Sequence, residues 1–202
     1  MEDEKSKILS YALEKFITEG FYKTTMDELA SEQRISKKTI YKHFPTKEKL
    51  VYEAVFLFIG THKVKIEEIF ESRVNAVVKL FNFTEYLANM LSQISEKWFR
   101  DVQIHHRELW QEIDKFRTKM INQRMSKVFD QGKKEGNIQK YPSEFLTVYF
   151  LTCIRSIINP EFAMNSNYTM KEVLEFTITL LLNGIMTEKG RRIFKKLKDG
   201  AN

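Results

Sequence analysis

Apolar residues recur along this chain at intervals of three and four, the period of an amphipathic helix. Ile8, Leu9, Ala12, Leu13 and Phe16 fall on one face, and Gly20 ends that element. Thr25 followed by Glu28 has the form of a capping box and opens a second helix. Polar residues 31–34 cut this helix short. Ser36 is the N-cap of a third helix, from Lys37 to about His43. Pro45 and Thr46 break it, and Thr46 caps a fourth, from Lys47 to about Glu71. Leu29, Ala30, Ile35, Ile40, Tyr41 and Phe44 are the apolar residues expected to hold the short helices together.

Further along, the same period predicts longer helices. They cover about 75–95, 107–134, 142–158, and a last one from 169 into a basic tail. The stretch 98–106 is ambiguous. Gly132 and the pair Gly136-Asn137 are read as the stop of the helix over 107–134, and Asn159-Pro160 as the stop of the helix over 142–158. The latter helix is apolar on nearly every side, so it needs cover on more than one. No strand pattern of comparable strength occurs, and only 7 Gly and 3 Pro interrupt 202 residues. The expected fold class is therefore all-α.

Charge adds a direction. The chain carries a net +6, and from Arg34 to Lys49 six basic residues face one acid, a local +5. A second basic run, 189–198, keeps Ile193, Phe194 and Leu197 at helical spacing and is read as a solvated face rather than a second polyanion site. One cysteine, Cys153, permits no intrachain disulfide and suits a reducing compartment. The acidic N-terminus has no apolar stretch of a signal peptide, and no apolar run nears the roughly 20 residues of a membrane helix. A cytoplasmic location is expected.

The second and third helices have helix-turn-helix spacing. Ala30 permits close crossing, Leu29, Ile35 and Ile40 fill the gap, and the outer side carries donors and cations. Gly20-Phe21, Thr24-Thr25-Met26, Leu29-Ala30, Ile35-Ser36-Lys37, Thr39-Ile40-Tyr41, Phe44, Lys47 and Leu50 together resemble the TetR family of bacterial transcriptional regulators. The motif spans residues 20–50. Gln33-Arg34 stands where that family often has Ala-Gly, and Lys38 where it often has Gly. Gly132-x-x-x-Gly136 before Pro142 is similar to a common linker ahead of the family's last two helices.

The resemblance implies a helix-turn-helix DNA-binding domain at 1–48 and a helical regulatory and dimerisation domain at 49–202. It implies a ligand-responsive regulator of the repressor kind, binding a palindromic operator as a homodimer and released by a small hydrophobic ligand. Thr25, Ser36, Lys37, Lys38, Thr39, Tyr41, Lys42, His43 and Lys47 would contact DNA. The homodimer would form through the helices at about 142–158 and 169–190. Phe83, Trp98, Phe99, His105, Trp110 and Tyr149 are candidates for lining an effector pocket, although each is individually ordinary core material.

Other classes fare worse. His105-His106 with Glu108 lacks the Glu three residues before either His that a helical di-iron site needs, and zinc spacing is absent, so no metal is expected. No Gly-rich phosphate loop, nucleophile elbow or Cys–His pattern occurs, so neither enzyme nor cofactor is expected. Cys153 reads as a small hydrophobe. A weakly specific architectural DNA binder differs from a regulator in the ratio of specific to random-DNA affinity at fixed salt.

Overall fold

A computed structural model of the chain describes residues 3–157 and 167–200. Asn159-Pro160 lies outside them. Ten helices occur among the described residues: α1 Glu4–Glu19, α2 Met26–Glu32, α3 Lys37–His43, α4 Lys47–Glu71, α5 Ala76–Ser92, α6 Glu96–His105, α7 Arg107–Lys134, α8 Ser143–Ile157, α9 Met170–Ile185 and α10 Glu188–Gly200. None is long and apolar enough to cross a membrane.

The chain forms two compact units. The first comprises Met1–Val64 and Gln93–Ile113, the second Lys65–Ser92 and Asp114–Asn202. The whole segment 1–48 therefore lies in the first unit, together with the start of α4, all of α6 and the start of α7.

In the first unit α2 packs on α3, and α1 packs on α6. Ile8, Ala12 and Phe16 of α1 are buried, as are Trp98, Phe99 and Val102 of α6. The ambiguous stretch is thus helical. Ser95 caps it by accepting from the Trp98 N–H, and its own N–H donates to the Ile17 carbonyl at 2.9 Å.

In the second unit α5 packs against α9 and α10, and α8 packs against α9. Phe83 meets Phe70 and Phe150 at ring-centroid distances of 4.9 and 6.3 Å. The expected single C-terminal helix is two. Met186 adopts an extended conformation between α9 and α10. Its neighbours bond to the chain after α7: Gln139 N–H donates to Ile185 O, and Thr187 N–H to Asn137 O. Thr187 then caps α10 by accepting from Gly190 N–H at 3.2 Å. Gly132 also departs from expectation. It lies inside α7, where a Cβ would press on the Ile138 side chain at 2.5 Å, and Gly136, at φ +71°, marks the stop.

The outer faces of α8 and α9 stay apolar. Phe145, Val148 and Tyr149 of α8, and Phe176 and Leu180 of α9, are exposed, Leu180 to 76%.

Gly190 sits where the chain after α7 passes closest to α10, and a Cβ there would lie 2.2 Å from the Asn137 carbonyl oxygen. Backbone on both sides leaves little room to yield. Gly190→Ala is expected to cost about 1–3 kcal/mol, read as a lower urea midpoint. An unchanged midpoint would show that this crossing relaxes freely.

Candidate DNA-binding face

The face is assembled from short elements held by explicit end chemistry. Gly20, at φ +81°, closes α1, and its carbonyl accepts from the Thr24 hydroxyl at 2.9 Å. Thr25 and Glu28 form the reciprocal capping box, with Glu28 N–H donating to Thr25 Oγ1 at 3.1 Å. Inside, α2 buries Met26, Leu29 and Ala30.

The turn after α2 is a Schellman closure. Ile35 N–H donates to Ala30 O at 3.0 Å and Arg34 N–H to Ser31 O at 3.1 Å. Arg34 itself takes the left-handed conformation, φ +56°, that such a closure demands at this position. A glycine adopts it without steric cost, whereas a residue with a Cβ is strained by roughly 1–2 kcal/mol. Ser36 then caps α3, its Oγ accepting from Thr39 N–H at 3.0 Å. Ile40 and Phe44 are fully buried and fix the rotation of α3.

That rotation leaves Ser36, Lys37, Lys38, Tyr41 and Lys42 exposed, with Thr39 and His43 half-buried. Thr25 is exposed and Lys47 half-buried beside them in sequence terms. Several of these groups are already engaged. Lys37 Nζ bonds to Asp27, His43 Nε2 lies 2.9 Å from Glu4 Oε2, and Lys47 Nζ donates to Tyr22 O at 2.7 Å. Burial pulls the Lys47 ammonium below its ordinary pKa of 10.5, while Glu48, Asp101 and Glu28 act the other way. Lys38 and Lys42 have no such partner among the described residues.

Two contributors were not singled out from the sequence. Lys15 is buried on α1, and its ammonium reaches Glu32 at 2.7 Å, Glu28 at 2.9 Å and Glu19 at 3.3 Å. Tyr11 Oη also donates to Glu32. This cluster ties α1 to α2. Its hydrogen bond to Glu32, then that to Glu28, raises the Lys15 pKa well above its ordinary value. The Lys15 hydrogen bond, then that of Tyr11, lowers Glu32 below 4.5. The second contributor is Asp101 of α6, buried beside Gly20. Lys15 could have been suspected as a cation on the apolar face of α1, but Asp101 carries no local signal.

The six effector candidates fall in both units. Trp98, Phe99, His105 and Trp110 belong to the first, Phe83 and Tyr149 to the second. Trp98 and Phe99 pack edge to face at 5.3 Å, and His105 is exposed and stacks on Tyr22 at 3.6 Å. Tyr149 is exposed and stacks on Phe145. None of the six lines either of two clefts. One, of about 500 Å³, lies between α1 and α4 in the first unit, against Leu13, Ile17, Leu57 and Phe58. The other, of about 820 Å³, lies among α5, α9 and α10 in the second, over Phe81 and Phe194.

Comparison with known proteins agrees on kind. Residues 8–55 match the family of bacterial regulatory proteins described as the tetR family. The chain is 23% identical to the HTH-type transcriptional regulator YvaF of Bacillus subtilis, with 87% of this chain and 92% of that protein covered. A TetR-family transcriptional regulator from Marinobacter aquaeolei has a similar fold, with a TM-score of 0.75, 20% identity and 98% of each chain covered. So does the ketosteroid transcriptional regulator KstR2 of Mycobacterium tuberculosis, with a TM-score of 0.61, 18% identity, and 93% of this chain and 97% of that one covered.

Two outcomes test the local physics. Arg34→Gly relieves left-handed strain and gives most of that gain back as chain entropy, so its melting midpoint is expected to equal or slightly exceed the wild type's. Arg34→Val, with a branched Cβ at the same φ, should fall by about 1–2 kcal/mol. Equal melting curves for the two variants would refute the strain. The second test concerns pH. Glu32 has a depressed pKa, so its contribution is present above pH 4.5 and is lost as the pH falls through its lower folded value. Lys15 has a raised pKa, so its contribution is present below 10.5 and is lost only as the pH rises through its higher folded value. The melting-temperature advantage of wild type over Lys15→Met should therefore hold across neutral pH and shrink in acid below pH 4.5. An advantage that survives undiminished at strongly acid pH would exclude the ion cluster as its source.

Proposed function

The chain belongs to the TetR family of DNA-binding transcriptional regulators, and from that premise we propose that it is a repressor that binds a palindromic operator as a homodimer and leaves it when a small hydrophobic effector binds. The observation that carries the DNA-binding part is the outer side of α3. Lys38 and Lys42 are exposed without partners among the described residues, one helical turn apart, on a helix whose opposite side is pinned by Ile40 and Phe44. A helix so presented fits the major groove, where lysine reaches phosphates and guanine edges.

In this reading Ser36, Lys37, Lys38, Thr39 and Lys42 meet the groove and its walls. Tyr41 and His43 contact phosphates. Thr25 and Lys47 contact phosphates from the starts of α2 and α4, where backbone N–H groups favour an anion. Lys37 and His43 exchange Asp27 and Glu4 for phosphate, so each gains less than a free cation would.

The second copy is placed against α8 and the C-terminal helices, within about 142–158 and 169–190. Phe145, Val148, Tyr149, Phe176 and Leu180 supply an apolar surface of the kind a stable dimer buries. Two recognition helices then read two half-sites about one helical turn apart. For the effector, support comes from composition and from the likeness to a ketosteroid regulator. Phe83, Trp98, Phe99, His105, Trp110 and Tyr149 remain the candidate contacts. Release requires that the effector prefer the state that does not bind DNA. A cytoplasmic location accords with this role.

A gel shift on the DNA upstream of the gene, with excess random competitor and at two salt concentrations, tests the reading. A complex with dimer stoichiometry that resists competitor is expected, and binding that competitor abolishes on every upstream fragment would instead favour an architectural role. Lys42→Ala should weaken specific and random DNA alike, whereas Lys38→Ala should also change base preference. Equal losses on both DNAs for both variants would remove Lys38 from base reading. Leu180→Glu should give monomers in analytical ultracentrifugation and lose the competitor-resistant complex. A Leu180→Glu protein that remains dimeric would move the interface elsewhere.

A further inference from the structure

Asp101 is 4% exposed and is the one buried acid among the described residues. Its Oδ2 accepts two backbone hydrogen bonds, from Phe21 N–H and Tyr22 N–H, both at 2.8 Å. These are the first amides past the end of α1, which no helix partner serves. The carboxylate approaches so closely that a Cβ on Gly20 would meet Oδ2 at 2.6 Å. Glycine at position 20 thus supplies both the positive φ and the room.

The next peptide and the neighbouring rings are held as well. Tyr22 O accepts from Lys47 Nζ, and the Tyr22 ring stacks on His105, one turn beyond Asp101 on α6. Phe21 packs edge to face on His106 at 5.3 Å. Thr24 bonds back to Gly20 O, and Thr25 follows at once as the cap of α2. The loop 20–25 is therefore fixed by α6, eighty positions away in sequence.

We propose that Asp101 is a positioning residue for DNA binding: it holds the loop that leads into Thr25 and whose Tyr22 carbonyl engages Lys47 at the start of α4. The inference rests on the phosphate-contact reading of Thr25 and Lys47. Asp101 touches no nucleic acid itself and carries the wrong charge to do so. It acts by fixing Tyr22, whose carbonyl orients the Lys47 ammonium, and by fixing the backbone that leads into the Thr25 cap. Without the carboxylate, two amides lose a charged acceptor, and the loop must move to find water.

The test measures affinity for a random-sequence duplex across a range of salt, using the full-length protein. The number of phosphates engaged is read from the slope of log affinity against log salt. Asp101→Ala is expected to bind about tenfold more weakly at low salt, with a slope shallower by about one phosphate per subunit, the decrement of Lys47→Ala. The double variant Asp101→Ala/Lys47→Ala should fall little further, because both changes remove the same contact. A lower melting temperature with wild-type affinity and slope would make Asp101 merely structural and overturn the proposal. So would strictly additive losses in the double variant. If Asp101→Ala does not fold, Asp101→Asn decides. It keeps one oxygen acceptor without the charge, and a weaker affinity at wild-type helix content is expected, whereas unchanged affinity and slope overturn the proposal. A wild-type protein that binds no duplex at low salt would instead defeat the DNA-binding reading on which all of this stands.

Discussion

A helix of seven residues has too few internal hydrogen bonds to persist in water, and both α2 and α3 are that short. Everything on the candidate face follows from how this shortage is met. Each helix has a side-chain cap at its start, Thr25 and Ser36. The turn between them closes through two backbone bonds, even though a bulky residue must take the left-handed conformation. The remaining stabilisation comes from outside, through Leu29, Ala30, Ile40 and Phe44 against their surroundings and through the Lys15 cluster that ties α2 back to α1.

The distribution of charge has a parallel logic. Cations near the face are of two kinds. Some, such as Lys15 and Lys37, face carboxylates and hold structure. Others, Lys38 and Lys42, have no partner among the described residues. A formal count of basic residues from Arg34 to Lys49 treats these alike, but an anion approaching the protein meets them very differently. A free ammonium offers its full attraction, while an engaged one must first lose a partner.

Local chemistry was legible in the sequence, and remote chemistry was not. The capping box at Thr25, the Ser36 cap, and the Lys47–Glu71 and Arg107–Lys134 helices could be read because their signals lie within a few residues of the structure they specify. The break at Met186 is hidden because Ile193 and Phe194 stay in helical phase with Ile185 and Met186, seven to nine positions earlier, and the groups that make the break possible, Asn137 and Gln139, come from another part of the chain. Thr187, with Gly190 three residues on, was the local hint. Asp101 lay in the stretch whose periodicity was ambiguous, and a carboxylate in a sequence does not reveal that its partners are two distant amides. Gln33-Arg34 departs from a common pattern, and the structure gives the reason it matters: the backbone at Arg34 is left-handed, a conformation glycine adopts freely.

The first unit is discontinuous in sequence, built from Met1–Val64 with Gln93–Ile113. This bears on how such a protein can be recombined. A graft that moved residues 1–64 onto a different helical body would carry every capped helix of the face, yet leave behind Asp101, His105, His106 and the Ser95 bond to Ile17. The transplanted segment would arrive with two amides, those of Phe21 and Tyr22, facing whatever the new host offers at that place. A host that keeps the turn intact is one that supplies an acceptor where Asp101 stands in this chain.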